Sequence, residues 1–365
     1  MKFVHIADLH LDTPFKSLSC RENLGDIRRI DQRNALRKMI EYIKENNIPY
    51  LFICGDLYEQ SSIRESTIKY INNLFSQIPD TKIYITPGNH DPLIKNSYYK
   101  IYEWEKNVTI FNENITKIEE PEFNLYGYGF NDFYMKQDKL NEIEIDNHDK
   151  LNIFTTHAGL DGGADEERVY NPITSAQLKT FGFDYIALGH IHKKNLEAND
   201  QIIVYPGSMC SLGFDELGEH GMVVGELNKD ADGKVTRKIE FIALDSKQFA
   251  KQECDVSEFS SDIDLIEHIN LSKFDDDKLY EIVLVGNRQF EINIYKLYKL
   301  INQANVIKLK NKTKLGVNLD ELAKEVSLRG IFVKKMLEKL SNPDEDKEII
   351  EKAIEVGLDS LSKGE

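Results

Sequence analysis

The amino-acid sequence predicts an α/β protein whose chemically active residues gather where strands end. In the first half, short β-branched or aromatic runs alternate with stretches of helical apolar spacing, the pattern of strands connected by helices. Five of these runs lead straight into Asp, Asn or His. After Gly221 the pattern changes to two runs joined by a turn at residues 230–233, which indicates an antiparallel hairpin.

The predicted strands are runs of four to six residues rich in β-branched and aromatic side chains. They cover residues 3–7, 50–54, 82–86, 152–156, 185–188 and 202–205. Residues 33–45 and 64–75 carry apolar side chains at helical intervals and predict two helices. The two strands of the hairpin are residues 222–227 and 238–244.

Chain length and a change of composition predict more than one domain. A chain of 365 residues has room for about two domains, and residues 246–261 are polar. We expect a domain over residues 1–245 that carries the chemistry and a small α+β capping domain over 246–318, which could contact DNA. That domain should hold a strand at 280–285 and a helix at 294–303. A helical tail then covers 319–365, broken near Pro343, which suits the first position of a new helix.

The composition is that of an ordinary globular protein, with 41% hydrophobic, 10% aromatic and 30% charged residues, which excludes a disordered chain. No apolar run reaches the ~18 residues of a membrane helix. Asp8 and two histidines interrupt the N-terminal stretch where a signal peptide would be apolar. We therefore expect a soluble, cytoplasmic protein with no membrane partner.

The charge balance bears on nucleic acid as a partner. A formal net charge of −16 argues against a nucleic-acid coat protein, but leaves open an enzyme with a local basic patch. Residues 288–319 contain seven Lys or Arg side chains and one acidic side chain. This stretch could follow a phosphate backbone, with Tyr295 and Tyr298 stacking on bases, or it could be a solvated surface of a lysine-rich protein.

Five motifs share one position, the carboxyl end of a strand. In chain order they are Asp8-Leu-His10, Gly55-Asp56-Leu-Tyr-Glu59, Gly88-Asn89-His90-Asp91, His157-Ala-Gly159 and Gly189-His190-Ile-His192. Because ligands collect at the carboxyl ends of strands in open α/β sheets, we expect these loops to converge. Each motif alone is weak evidence, whereas five of them at strand ends favour one common site.

The residue types in these loops favour metal ions. Asp, Asn and His offer oxygen and imidazole donors without a thiolate, which suits Mn, Fe or Zn in a catalytic site better than a structural zinc site. The alternate spacing of Asp8 with His10, and of His190 with His192, would place each pair on one side of an extended chain. One carboxylate, such as that of Asp56, can contact two cations through its two oxygens.

With these motifs the sequence resembles the calcineurin-like metallophosphoesterase superfamily, whose pattern is D-x-H, G-D-x-x-[DE], G-N-H-[DE], H and G-H-x-H. Within it, the chain is most similar to the DNA-repair nuclease branch of SbcD-like and YhaO-like proteins. The branch signals are the opening Phe-Val-His-Ile-Ala-Asp-Leu-His-Leu-Asp, Gly-His-Ile-His-Lys, Tyr205-Pro-Gly-Ser208, Phe214-Asp-Glu216 and His220-Gly221. The resemblance extends to about residue 245 and implies a four-layer αββα sandwich of two mixed sheets flanked by helices.

The resemblance also implies a set of ligands for two divalent metal ions, Mn²⁺ first, with Fe or Zn as alternatives. One ion would take Asp8, His10, Asp56 and His192, and the other would take Asp56, Asn89, His157 and His190. Asp56 and a water or hydroxide would then bridge the two ions. Such a pair clamps a phosphodiester while the metal-activated hydroxide attacks phosphorus in line.

His90 binds no metal in the family; it faces the phosphate and either stabilises the transition state or protonates the leaving oxygen. A histidine in this role needs a carboxylate that holds it in place and raises its pKa. Glu59 occupies the position of that acidic partner in related phosphatases, whereas the archaeal and eukaryotic nucleases tend to have His there. Asp91 is the second candidate partner.

Three functions fit the sequence. The first is a metal-dependent DNA exonuclease or endonuclease subunit of a repair complex. Because the sequence has no G-x-x-x-x-G-K-[ST] phosphate loop, the ATPase that the resemblance implies would be a separate coiled-coil, SMC-like subunit. The second is a phosphatase or phosphodiesterase for nucleotides or phosphoproteins. The third is an inactive scaffold, against which the complete set of metal-ligating side chains argues.

Weaker signals bear on the oligomeric state and on partner proteins. The family likeness alone implies a possible homodimer. The apolar side chains of the tail recur at helical spacing and would pack on their own domain or dock a partner helix.

Overall fold

The computed structural model describes residues 1–18, 23–135, 139–161, 171, 173–196, 201–316, 319–342 and 346–362. Pro343, which the sequence predicts to open a helix, lies outside the described residues. The chain divides into two compact units, Met1–Gln248 and Phe249–Glu365. Each unit has sheets and apolar clusters of its own.

The first unit contains most of the predicted strands and the two helices predicted at 33–45 and 64–75. Its strands are β1 (Lys2–Ile6), β2 (Tyr50–Cys54), β3 (Lys82–Thr86), β4 (Val108–Ile110), β5 (Thr116–Glu119), β6 (Phe123–Gly127), β7 (Leu151–His157), β8 (Tyr185–Gly189), β9 (Ile203–Val204), β10 (Gly221–Lys229) and β11 (Val235–Ala243). Its α-helices are α1 (Leu24–Glu45), α2 (Glu65–Phe75), α3 (Tyr98–Ile101) and α4 (Ser175–Thr180).

These strands form two mixed sheets, of order β11-β10-β1-β2-β3-β4 and β5-β6-β7-β8-β9. In the first sheet, β1 to β4 are parallel, while β10 and β11 are antiparallel to their neighbours. In the second sheet, β6 to β9 are parallel and β5 is antiparallel. The α/β class and the hairpin at β10 and β11 are confirmed.

Three apolar clusters show how the layers stack. Phe3 of the first sheet and Tyr185 of the second pack between the sheets, with ring centroids 4.8 Å apart. On its other face, the first sheet is covered by α1 and α2, which contribute Met39 and Ile71. The second sheet packs on its other face against Leu178 of α4. This arrangement of helix, sheet, sheet and helix confirms the predicted αββα sandwich.

Helix α1 begins at Leu24 rather than at the predicted residue 33. After Leu24, the next buried positions are the polar Arg28 and Gln32, while Ile30 is exposed. Arg28 pairs with Asp245, with Nη2 and Oδ2 2.7 Å apart. Apolar periodicity cannot detect a helix turn that is held by a buried ion pair.

Strands β4, β5 and β6 were not predicted from the sequence. β4 and β5 are edge strands of three and four residues with largely half-buried or exposed side chains, so they lack an apolar run. β6 is fully buried, but Asn124 and Gly127 interrupt its apolar pattern. A local apolar pattern misses such segments, because pairing with a neighbouring strand is what stabilises them.

The second unit is a smaller α+β fold followed by helices. Its elements are β12 (Gln248–Asp255), α5 (Asp262–Leu271), β13 (Lys278–Val285), β14 (Asn287–Arg288), α6 (Ile294–Leu300), β15 (Val306–Asn311), β16 (Lys314–Leu315), α7 (Leu319–Leu322), α8 (Leu328–Leu340) and α9 (Lys347–Ser362). β12, β13 and β15 form one sheet, and β14 pairs with β16. Strand β12 occupies the segment that its polar composition marked as a boundary.

The three last helices pack on one another. Their shared cluster consists of Leu322, Val333, Ile350, Ile354 and Leu358. Other apolar side chains of the tail, such as Ile331 and Ile349, are exposed. The tail therefore buries only part of its apolar surface within itself.

Candidate metal centre

The five motifs converge at the carboxyl ends of five strands from both sheets. Asp8 follows β1, Asp56 follows β2 and Asn89 follows β3, whereas His157 ends β7 and His190 follows β8. The loops also bond to one another, since the N–H of Asp8 donates to the carbonyl of Gly55 at 3.1 Å. The convergence that the sequence predicts is present.

The local backbone differs from the extended chain that the alternate spacing assumed. Asp8, His10 and Asp56 have φ angles of 52°, 49° and 54°, and His190 has a φ of 99°. For residues with a Cβ such conformations cost about 1–3 kcal/mol each and cluster at functional sites. Tight turns, rather than strand alternation, therefore bring each pair of side chains to the same place.

Asp8, His10 and His192 each contribute one ligand atom to a first group, and these atoms all lie within 4.8 Å of one another. The Nε2 atoms of His10 and His192 are 3.2 Å apart, and His192 Nε2 is 3.7 Å from Asp8 Oδ1. Asp56 Oδ2 lies 3.7 Å from His10 Nε2. The four side chains that the resemblance assigns to the first ion therefore lie next to one another.

A second group surrounds His157. Its Nε2 lies 3.0 Å from Asn89 Oδ1, 3.3 Å from His190 Nδ1 and 3.3 Å from Asp56 Oδ2. All four side chains assigned to the second ion are therefore together as well. The same oxygen, Asp56 Oδ2, faces both groups.

The hydrogen-bond partners of three rings fix which nitrogen points into the site. Nδ1 of His10 contacts Glu59 Oε1 at 2.8 Å, and Nδ1 of His192 contacts Glu216 Oε1 at 2.7 Å. Nδ1 of His157 contacts the carbonyl oxygen of Cys54 at 2.9 Å. Because these oxygens only accept, each Nδ1 carries the proton, and a neutral ring directs the lone pair of Nε2 inward.

This arrangement fits cations. At the first group two imidazole lone pairs and carboxylate oxygens converge, and at the second an imidazole lone pair meets an amide oxygen and a carboxylate oxygen. Facing acceptors attract a cation, which is either a proton on Nε2 or a metal ion that replaces it. Nitrogen and oxygen donors without thiolate suit Mn, Fe or Zn, so the side chains present fit two divalent ions.

The electrostatics of the site follow from buried carboxylates that face histidines. Burial opposes the charged form of His157, but the charge and hydrogen bond of Asp56 outweigh it and raise the pKa of His157 to about 9. Burial likewise opposes a charged His192, and the Glu216 hydrogen bond and Asp8 still raise its pKa to about 9. Burial and the neighbouring His157 lower the pKa of His190 to about 3.

Glu59 holds two histidines with one oxygen. Its Oε1 lies 2.7 Å from Nδ1 of His90 and 2.8 Å from Nδ1 of His10. Although burial opposes ionisation, these bonds lower the pKa of Glu59 to about 2. Burial lowers the pKa of His90, but the Glu59 bond outweighs it, so that the net shift is upward. The His90 ring also has a nitrogen in a possible ligand group with His10 and Asp56.

Asp91 lies elsewhere in the site. It is fully buried, and its Oδ1 accepts hydrogen bonds from the N–H groups of Asp56 at 3.0 Å and Gly88 at 2.6 Å. Its Oδ2 accepts from the N–H of Leu57 and the hydroxyl of Tyr99, both at 2.7 Å. Of the two predicted partners of His90, the geometry therefore favours Glu59. Asp91 instead holds the loops after β2 and β3 together by accepting hydrogen bonds from both.

A hydrogen-bond network lies behind His192 and includes Glu216, which was not predicted as a site residue. Glu216 Oε2 accepts hydrogen bonds from the Ser208 hydroxyl at 2.8 Å and the N–H of Leu212 at 3.0 Å. Ser208 in turn lies 2.8 Å from Nδ1 of His220. These residues belong to the segments that mark the nuclease-branch resemblance, but only the fold brings them behind a candidate ligand.

The family model for calcineurin-like phosphoesterases matches residues 1–194, which contain all five motifs. The chain belongs to the calcineurin-like phosphoesterase family. The sequence-based identification of the superfamily is confirmed.

Curated relatives place this phosphoesterase near two named groups. It is 27% identical over 236 residues to the uncharacterized metallophosphoesterase YhaO of Bacillus subtilis, covering 60% of this chain and 56% of that protein. It is 30% identical over 254 residues to the SbcD component of nuclease SbcCD from Staphylococcus epidermidis, covering 60% of this chain and 64% of the relative. The SbcD-like and YhaO-like resemblance is confirmed, while the phosphoesterase spans about six tenths of the length of these relatives.

Among the described residues, no helix has the length and apolar character needed to cross a membrane. The solved chain TT1561 of Thermus thermophilus is similar at 14% identity and a TM-score of 0.34, over 65% of this chain and 97% of that chain.

Proposed function

We propose that this phosphoesterase is a two-metal-dependent phosphodiester hydrolase acting on DNA, as the exonuclease or endonuclease subunit of a DNA-repair complex. The observation that carries the proposal is the position of Asp56 Oδ2, 3.7 Å from His10 Nε2 and 3.3 Å from His157 Nε2. One carboxylate oxygen that faces two groups of ligand atoms suits two ions close enough to clamp one phosphoryl group.

The metal ligands in this proposal are Asp8, His10, Asp56, Asn89, His157, His190 and His192. Two divalent ions, Mn²⁺ first, would polarise a phosphoryl oxygen and activate water when bound there. The chain itself holds the ligands in place. Glu59, Glu216 and the Cys54 carbonyl hold the Nδ1 protons of three rings, so that the facing nitrogens need no rearrangement.

His90 and Glu59 are the catalytic pair of the proposal. The His90 side chain is 45% exposed, so its ring can face a phosphate, while Glu59 holds Nδ1 and favours the protonated form. A protonated imidazole can stabilise charge that develops on the phosphoryl oxygens or donate its proton to the leaving oxygen. The backbone N–H of His90 donates to Asp56 Oδ1 at 2.8 Å, which ties the pair to the shared carboxylate.

DNA as the substrate is supported by the nuclease relatives and by the charge of the second unit. In that unit, the side chains of Lys310 and Lys312 are exposed, and Tyr295 is exposed with the ammonium of Lys299 above its ring at 4.3 Å. Lys308, by contrast, is paired with Glu281 at 2.8 Å. The exposed cations could contact a phosphate backbone.

We further propose cytoplasmic action with a separate SMC-like ATPase subunit and a possible homodimer. The name of the SbcD relatives, which describes each as one subunit of the nuclease SbcCD, supports the separate partner. The alternative is a phosphatase or phosphodiesterase for nucleotides or phosphoproteins. Glu59 favours this alternative, because an acidic partner at that position resembles related phosphatases.

The test is hydrolysis with added Mn²⁺ of linear duplex DNA, single-stranded DNA and bis-p-nitrophenyl phosphate, with Asp56→Asn as the control. Metal-dependent cleavage of DNA that the variant loses would support the nuclease. Cleavage of only the small diester would show an active metal site and would indicate either the alternative substrate or a requirement for the ATPase subunit, and no cleavage of any substrate would refute the hydrolase.

A further inference from the structure

We propose that Phe133 and Tyr134, here called the aromatic pair, form a nucleobase subsite beside the metal centre. The substrate class would then be a phosphoester that carries a nucleoside, rather than a phosphorylated aliphatic side chain. The inference rests on the proposed hydrolase function and specifies what it acts on.

The aromatic pair lies at the tip of a short loop that is fixed at both ends. Before it, Phe130 is fully buried, and its N–H donates to the carbonyl of Pro87 at 2.9 Å. After it, Met135 is buried, and its carbonyl accepts from the N–H of Asn171 at 2.8 Å. Anchors this close on either side restrict the loop, so the two rings are presented from a defined position.

Both rings leave much of their surface in water. Phe133 is 41% exposed and Tyr134 is 48% exposed. A single exposed aromatic residue is common, but two consecutive ones at a site of chemistry form a surface that a ligand can cover. A ligand that covers it removes apolar surface from water, which favours binding.

The aromatic pair shares a cavity with the candidate catalytic pair. This cavity has a volume of about 290 Å³ and is lined by Glu59, Ser61, Asn89, His90, Phe133 and Tyr134. Such a volume is close to the lower end of small-molecule sites, which run from about 300 to 1,000 Å³. Because Asn89 and His90 line both the cavity and the metal centre, a group esterified to a phosphate at the centre can extend into it.

The lining selects the chemistry of that group. Two aromatic rings in the lining favour a flat ring, because a base stacks on an aromatic side chain. The one acidic side chain of the lining, Glu59, is already bonded to His10 and His90. A neutral base is therefore not opposed by an unpaired carboxylate, and the Ser61 hydroxyl offers a polar contact at the cavity wall.

The binding test uses 2-aminopurine deoxyriboside 5′-monophosphate, whose fluorescence is quenched when the base stacks. Titrations contain Ca²⁺ in place of Mn²⁺, because a paramagnetic ion would itself quench. The wild-type protein should quench the probe, and the double variant F133L/Y134L should raise the Kd by about tenfold or more, the equivalent of one lost stack. Phe133→Tyr and Tyr134→Phe keep the rings and should keep the quenching. Ile101→Ala, at an exposed position of α3, is the remote control.

A second readout separates the subsite from the chemistry. With Mn²⁺, the kcat/KM of the thymidine 5′-ester of p-nitrophenyl phosphate is divided by that of its methyl ester, which has the same leaving group. The wild-type ratio should be high and should fall in F133L/Y134L. If the wild type hydrolyses both esters and the double variant keeps both the ratio and the quenching, the subsite is refuted while the hydrolase stands.

Other outcomes are equally decisive. If the wild type quenches the probe through the aromatic pair but hydrolyses no ester, the proposed function fails and the nucleobase subsite is supported. Absence of quenching by the wild type refutes the subsite. Thermal melting checks that each variant folds, and the single variants F133L and Y134L carry the test should the double variant unfold.

Discussion

Glu216→Gln is expected to weaken one metal site selectively. Glu216 lies outside the predicted set of ligands, but its Oε1 holds Nδ1 of His192 at 2.7 Å and thereby turns Nε2 toward the candidate ion. The replacement keeps the size of the side chain and removes its negative charge. It therefore probes how the carboxylate orients and polarises the ligand, with little change in packing.

The expected loss of metal affinity in Glu216→Gln follows from the hydrogen bonds of the Glu216 carboxylate. The carboxylate accepts from His192, from the Ser208 hydroxyl at 2.8 Å and from the N–H of Leu212 at 3.0 Å. A Gln amide has one acceptor oxygen, so its NH₂ group must face one of these donors. Replacing a partner of a ligand histidine typically costs 10–100-fold in metal affinity, and we expect the upper half of that range, about 2–2.7 kcal/mol.

The assay is a calorimetric titration of the metal-free protein with Mn²⁺, which resolves two sites. The weakened site should be the one that contains Asp8, His10 and His192, while the affinity of the site around His157 should change by less than about threefold, because Glu216 bonds to none of its ligands in the described hydrogen bonds.

Glu219→Gln is the matched control. Glu219 lies in the same loop and is exposed, with a contact to Lys194 at 3.2 Å. Its replacement should leave both Kd values unchanged. The reasoning is refuted if Glu216→Gln binds two Mn²⁺ ions with wild-type affinity, or if Glu219→Gln weakens binding as much.

Three further predictions concern stability, pH dependence and catalysis. Asp91→Asn should lower the free energy of unfolding, measured by urea denaturation, by about 2–4 kcal/mol. The amide retains one acceptor oxygen, so some of the buried donors lose their partner at a cost of about 1–3 kcal/mol each. Burial lowers the pKa of His5 to about 3, so below pH 6.5 the unfolded chain binds a proton that the folded chain does not. Stability should therefore fall by about 1.4 kcal/mol per pH unit from this group as pH drops from 6.5 toward 3, and urea titrations of His5→Asn should lack that component. His90→Asn should retain its Mn²⁺ content and lose hydrolysis of bis-p-nitrophenyl phosphate.

Each prediction has a contrary outcome. An Asp91→Asn protein as stable as Asp149→Asn, an exposed control, would show that the four hydrogen bonds contribute little. A difference in stability between the wild type and His5→Asn that stays constant from pH 6.5 to 4.5 would contradict the depressed pKa. Turnover retained in His90→Asn would exclude the catalytic role, whereas loss of metal from that variant would make His90 a ligand.

Prediction from the sequence succeeded where the pattern is local. β2 and β3 have the predicted bounds, because a β-branched or aromatic run between polar turns, Tyr50–Cys54 in one and Ile83-Tyr-Ile85 in the other, has few alternatives. It failed at the start of α1, where Arg28 is buried by an ion pair with Asp245, more than 200 positions away in the chain. Burial of a charge depends on a partner that no local window contains.

The candidate site divides in the same way. The residue types that follow the strands, and hence the chemistry, can be read from the amino-acid sequence, because parallel strands necessarily present their carboxyl ends on one edge. The packing of the two sheets sets which oxygen is shared, since Asp56 Oδ2 meets His10 and His157 from different sheets. It also decided the supporting roles: Glu59 bonds to His90, Asp91 pins two loops, and Glu216 holds His192. These roles are set by distances of about 3 Å between side chains remote in sequence, which depend on how the two sheets pack.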